Sequence, residues 1–218
     1  MSDSRAVERA KFVLADVESL IEHHPAQADP KPGRPAGAGY GHLLRSGVAL
    51  CYTAWEVYVE EALVETVELL TDTVSPVDLP ETFRDWVVTA KPSPWAFVGD
   101  GWRDEAVALV RGRIEGDGKG RFGFNTASVG NVEGLYQQVL GIAPIYAVKW
   151  SGRSNAMVRR EVSDLVEIRG EIVHRGTTPG ALNLKGLRSW ADFVTRLCEK
   201  FDEQLVEFRT GLKSGEKK

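Results

Sequence analysis

No run of apolar residues in this chain approaches the roughly 18 needed to span a bilayer, and its first residues hold no uninterrupted apolar core of the kind that directs secretion. A membrane span and a secretory leader are therefore not expected. Cysteine is scarce, with two in 218 residues, Cys51 and Cys198. Both fall on apolar faces of helical patterns, where cysteine behaves as a small hydrophobe, so they are expected to be reduced, as in a cytoplasmic protein. Positive charge is not in excess either. With 27 Lys and Arg against 31 Asp and Glu the formal net charge is −4, which argues against a protein that coats nucleic acid nonspecifically, since such binding depends on many phosphate contacts. A small basic site on an acidic body stays open. No stretch alternates apolar and polar residues as a half-buried strand does, and no internal repeat occurs.

Two motifs that would imply a cofactor fail on inspection. His23 and His24 are adjacent, but no Cys or carboxylate cluster at ligand spacing accompanies them, so they read as a helix end and no metal is expected. The glycine-rich stretch Gly112 to Phe124 (GRIEGDGKGRFGF) has Lys119 followed by Gly120 and no glycine at the required earlier position, so a phosphate-cradling P-loop is excluded. Arg111, Arg113, Lys119 and Arg121 around it leave two readings, a surface loop or an RNA-contacting loop. Lys91 to Trp102 (KPSPWAFVGDGW) likewise reads as a loop folded over the core or as a set of aromatics that stack bases.

What the chain does have is helical periodicity, and the expected class is all-α, an antiparallel helical bundle. A length of 218 residues suits one sizeable core, and a single domain over residues 1–212 with a frayed charged tail at 213–218 is expected. The first helix should run from about Ser4 to His23, with Val7, Phe12 or Val13, Val17 and Leu20 or Ile21 inward. A long Pro-, Gly- and Ala-rich connection, Pro25 to Gly39, follows it. The longest helix runs from Tyr40 to about Thr71 on a seam of Leu44, Val48, Cys51, Trp55, Tyr58 or Val59, and Ala62. Further helices are expected around Glu81 to Ala90, after a capping Asp100, over Asn131 to Leu140, from Ser154 or Asn155 onward, and from Leu184 to Leu212. The last has the seam Leu187, Trp190, Val194, Leu197, Phe201, Leu205 and Phe208, which suits a bundle core or in part a dimer.

One stretch departs from what a stable helix needs: Leu165 to Gly176, LVEIRGEIVHRG. Val158, Val162, Leu165 and Ile172 keep the four-and-three spacing of one buried stripe, and the stripe position between the last two is Arg169. A guanidinium cannot shed its charge, and burying it alone is strongly unfavourable. Either an acid or an anion must meet it. Glu56 and Glu60, one turn apart on the longest helix, form a solvated acidic face, or Glu56 turns inward as the partner of Arg169. His174 follows, then Arg175, and Gly176 ends the helix in a left-handed turn. Arg169 and His174 are about 140° apart around the axis and about 7.5 Å along it, so they do not share a face.

Arg169 to His174 matches the R-x4-H motif of HEPN domains, helical bundles that in many members act as metal-independent ribonucleases. Ala54 to Tyr58 (AWEVY), Phe124 to Thr126 (FNT) and Asn131 to Leu135 (NVEGL) are similar to the RiboL-PSP-HEPN branch, and the resemblance spans roughly Tyr40 to Phe208. Two positions differ from the family pattern: Gly170 stands where a polar residue usually follows the Arg, and Gly176 where nucleotidylated HEPN toxins carry Tyr. The resemblance implies an endoribonuclease without a cofactor, RNA as substrate, a homodimer with facing motif helices, and a toxin or antiviral-defence setting with an antitoxin or regulatory protein as partner. The chemistry agrees. RNA supplies its own 2′-hydroxyl nucleophile, a histidine moves protons near neutral pH, and an arginine holds phosphate oxygens in a bidentate grip. His174 is thus the expected proton-transfer residue and Arg169 the phosphate anchor. Arg175, Arg159 and Arg160 either hold flanking phosphates or lie on a solvated surface paired with Glu161 and Asp164. The alternative is a catalytically silent HEPN domain that binds a protein or nucleotide.

Overall fold

Serine caps set the helix starts. In the computed structural model, which describes residues 3–24, 40–90, 93–94, 98–116, 123–177 and 182–213, the side chain of Ser4 accepts from the Val7 N–H and begins α1 (Arg5–Glu22). Ser128 does the same for α5 (Val129–Leu140) and Ser154 for α7 (Asn155–Arg175). Gly141 and Gly176 end those two helices with φ of 73° and 63°, the left-handed region that a residue without Cβ enters at little cost. The remaining elements are α2 (Gly41–Thr73), α3 (Glu81–Thr89), α4 (Gly101–Glu115), α6 (Pro144–Ala147) and α8 (Leu184–Lys213). Among the described residues the fold is all-α, without a strand element, and no helix is long and apolar enough to cross a membrane.

Asp100 departs from its expected role. It occupies the N-cap position of α4, but its side chain makes no capping hydrogen bond and lies 3.6 Å from Arg103 instead. Its backbone is near φ −89°, ψ 1° rather than the extended conformation of the capping serines, so its carboxylate does not meet the first-turn N–H groups. The connection 25–39, the basic positions Lys119 and Arg121, most of the 91–97 stretch and the tail 214–218 lie outside the described residues.

α2 is the axis of the structure. Buried positions occur all round it, including Val48, Cys51, Tyr52, Trp55, Tyr58, Val59, Leu63, Thr66 and Leu70. A helix buried round most of its girth must be largely enclosed, and α1, α4, α7 and α8 all pack against it. Phe201 of α8 enters at the centre, with ring centroids 5.6 Å from Trp55, 5.6 Å from Tyr58 and 5.1 Å from Tyr136 in edge-to-face geometry. The Tyr136 hydroxyl donates to the Val59 carbonyl at 2.8 Å. Between α2 and α8, Gly47 makes room for Leu187: an added Cβ would lie 2.6 Å from Leu187 Cδ2.

α1 settles its open positions by turning Val13 and Ile21 inward and leaving Phe12 75% exposed. Its start is tied to α2 by Glu65, whose carboxylate accepts from the Arg5 and Ala6 N–H groups, and by Arg5 to Glu68 at 2.7 Å. Ser4 also donates to Asp202 of α8 at 2.8 Å. Both cysteines are free and buried, and burial pushes the Cys51 thiol up to about 12, so neither is a ready nucleophile.

Candidate functional site around Arg169

Val158, Val162 and Leu165 bury one stripe of α7 against its neighbours, and the next stripe position delivers Arg169 to α2. The residue that meets it there is aromatic. The guanidinium carbon lies 5.0 Å from the centroid of the Tyr52 ring. Arg169 is half-buried, and it makes no ion pair or hydrogen bond with any described residue. The expected Arg169–Glu56 pair is therefore not formed. Glu56 is taken by a nearer group: the Tyr52 hydroxyl, one turn earlier on the same helix, donates to its Oε1 at 2.7 Å.

Tyr52 is the residue that sequence reasoning missed. It is 1% exposed, and besides donating to Glu56 its hydroxyl accepts the Ala127 N–H at 2.9 Å. Trp55, one turn on, donates its indole N–H to the Ala127 carbonyl at 2.8 Å. The Ala127 peptide is thus held from both ends by α2. Asn131 adds a third tie, donating from Nδ2 to the Thr126 carbonyl at 3.0 Å. The stretch AWEVY meets FNT and NVEGL, some seventy residues further along the chain, at this one place, and Arg169 lies on the Tyr52 ring beside it. The signal for Tyr52 was present only as a Tyr and Glu four apart on the helix, a spacing that places them side by side.

Burial, and then the Glu56 carboxylate, push the Tyr52 hydroxyl up from its ordinary value, while the Ala127 N–H and Arg169 pull it down. It remains a phenol at neutral pH. Glu60, one turn beyond Glu56, is half-buried, and burial followed by the charges of Glu56, Glu61 and Glu115 raises its carboxyl to about 7. The acidic face of α2 is thus only partly solvated.

The other expected site residues are not gathered here. His174 is exposed in the last turn of α7. Arg175, beside it, is exposed and 3.9 Å from Glu171. Arg159 and Arg160 sit in the second turn of the same helix, about 15 Å along the axis from Arg169. Arg159 stacks over Tyr146 at 4.5 Å, and Arg160 lies 3.9 Å from Asp164. Glu161 pairs with Arg153 instead of with either of them. An open cleft of about 380 Å³ between α2 and α4 is lined by Glu68, Asp72, Arg103 and Arg111, but its cations face acids, Arg111 to Glu68 at 3.1 Å and Arg103 to Asp72 at 3.8 Å. On α7 the half-buried arginines are Arg169 and Arg159, each on a tyrosine ring and neither in an ion pair with a described acid, whereas the exposed Arg160 and Arg175 face Asp164 and Glu171.

No protein-family model, curated protein or solved structure matches the chain. The functional reading rests on these residues and their geometry.

Proposed function

We propose that this protein is a metal-independent endoribonuclease of the HEPN type, with an antiparallel HEPN-like bundle, acting as a homodimer in the cytoplasm. The observation that carries the reading is Arg169: a half-buried guanidinium on an aromatic face, unpaired by any described carboxylate, five residues before an exposed histidine at a helix C-terminus. Such a cation suits a transition state in which negative charge builds on a phosphate. In the reaction, the 2′-hydroxyl oxygen attacks phosphorus as His174 removes its proton. The bond to the 5′-oxygen breaks, that oxygen takes a proton, and the products are a 2′,3′-cyclic phosphate and a 5′-hydroxyl.

Arg169 and His174 lie about 140° apart around α7, too far round for one helix to present both to one phosphate. Two facing copies of α7 supply the missing geometry, with a second histidine to protonate the leaving oxygen. Arg175 would hold a flanking phosphate, whereas Arg159 and Arg160 would meet RNA only beyond the reacting nucleotide. A toxin or antiviral-defence setting, with an antitoxin or regulatory protein, is the biological context that this chemistry suits.

The test is cleavage of mixed cellular RNA in EDTA by the parent protein, His174→Ala and Arg169→Ala, compared at equal folding and dimer content. The parent should cut and leave 2′,3′-cyclic phosphate ends, and each variant should lose on the order of a hundredfold or more in rate. A parent that stays inert as a folded dimer would refute catalysis by the isolated protein. It would favour the silent HEPN-type binding module, for which Gly170 and the net charge of −4 speak.

A further inference from the structure

A buried or half-buried arginine is ordinarily fixed by a carboxylate, which also occupies its N–H donors. Arg169 is held differently. Its guanidinium rests on the Tyr52 ring at 5.0 Å, an attraction that leaves the donors in the guanidinium plane unoccupied. The ring itself cannot turn away, because its hydroxyl is fixed twice, to Glu56 at 2.7 Å and by the Ala127 N–H at 2.9 Å. Ala127 in turn is tied to Trp55. The carboxylate that could have quenched Arg169 is engaged by the tyrosine hydroxyl. One residue thus orients the cation and engages the Glu56 carboxylate.

We infer that Tyr52 is the positioning residue for Arg169, and that the pair forms a preorganised binding site for a phosphodiester anion, the aromatic ring holding the guanidinium while its N–H donors face the phosphate oxygens. The inference takes RNA as the source of that phosphodiester from the ribonuclease reading, but the anion site itself can be tested without cleavage. The substitution pattern separates ring from hydroxyl. Tyr52→Phe keeps the platform and loses the two hydroxyl contacts. Tyr52→Leu loses the platform as well.

The experiment measures binding of a 2′-O-methylated oligoribonucleotide, which lacks the nucleophile and is not cut, to the full chain, Tyr52→Phe, Tyr52→Leu, Arg169→Ala and the double variant Tyr52→Leu/Arg169→Ala. Folding of each is checked by circular dichroism. Tyr52→Leu and Arg169→Ala should each weaken binding about tenfold, the double variant should be no weaker than the singles, and Tyr52→Phe, which keeps the ring but frees Glu56, should fall between Tyr52→Leu and the parent. A folded Tyr52→Leu that binds like the parent, or that loses as much affinity with Arg169 already removed, overturns the inference. If Tyr52→Leu does not fold, the parent decides by nuclear magnetic resonance. The Arg169 Nε–H proton should be shifted upfield by the ring current and should move on titration with inorganic phosphate. A signal at the position of a solvent-exposed arginine that phosphate leaves unmoved overturns it. A parent that leaves ordinary RNA uncut, yet binds the methylated RNA with affinity that both Arg169→Ala and Tyr52→Leu weaken non-additively, would refute the ribonuclease reading and uphold the positioning role of Tyr52.

Discussion

The indole N–H of Trp55 and the carbonyl of Ala127 meet at 2.8 Å across 72 residues of sequence. Trp55 is fully buried, so its loss removes both packing and the partner of a buried carbonyl. Trp55→Phe should destabilise the protein by about 2–4 kcal/mol, from the smaller ring and the unpaired acceptor together. Urea unfolding followed by circular dichroism gives the midpoint. A loss under about 0.5 kcal/mol would mean that the 123–128 segment is not held through this contact.

Gly47 and Gly170 both lie inside helices, and alanine should act on them with opposite sign. At Gly170 an added Cβ meets nothing within 4 Å. Gly170→Ala should therefore stabilise by about 0.5–1 kcal/mol through helix propensity alone. At Gly47 the Cβ would lie 2.6 Å from Leu187 Cδ2 and 2.7 Å from Cδ1, and Leu187 is itself buried with little room to yield. Gly47→Ala should destabilise by about 1–3 kcal/mol despite the same propensity gain. Thermal unfolding of the two variants side by side checks the pair. Equal shifts would contradict the close packing of α2 on α8.

Glu60 gives a pH dependence of defined sign. Its carboxyl is raised from an ordinary value of 4.5 to about 7 in the folded chain, chiefly by burial. Between those values the folded state binds more protons than the unfolded state. This group's contribution to stability therefore falls as pH rises through that window. Glu60→Gln should remove that part of the slope and raise stability at pH 8 by on the order of 1 kcal/mol, a figure reduced for solvent screening of a half-exposed group. Denaturant midpoints of parent and variant at pH 5 and pH 8 measure it. The variant's gain should be larger at pH 8.

Glu133 is 8% exposed, accepts the Tyr146 N–H on Oε1 at 3.1 Å, and has no partner on Oε2. Burial, the first cause, raises its carboxyl above the ordinary value. Glu133→Gln keeps the accepting oxygen and removes the charge, so it should be neutral or mildly stabilising at pH 7. Glu133→Ala leaves the Tyr146 N–H without its acceptor and opens a void, so about 1–3 kcal/mol should be lost. The two unfolding midpoints should separate clearly. A glutamine variant as unstable as the alanine one would show that the ionised carboxylate is required.

The local order of this protein was written in its sequence. Ser4, Ser128 and Ser154 begin helices because their hydroxyls satisfy N–H groups one turn away, and Gly141 and Gly176 end them because only a short-range backbone preference is involved. The α8 seam was equally plain. Leu187, Val194, Leu197, Phe201 and Leu205 are buried and Trp190 and Phe208 half-buried against the same core, since a 3.6-residue period leaves few other ways to hide them. Even the anomaly of Arg169 on a buried stripe was visible. What met it was not. Tyr52 lies 117 residues earlier and Ala127 lies 42 residues earlier, and nothing local tells a tyrosine ring from a glutamate as the group that α7 encounters. Tertiary packing chose the ring and gave Glu56 to the tyrosine hydroxyl. It also decided that Phe12 faces outward and that Asp100 pairs with Arg103 in place of capping. Period and capping act over one or two turns of chain, whereas the environment of a charge depends on every element folded against it.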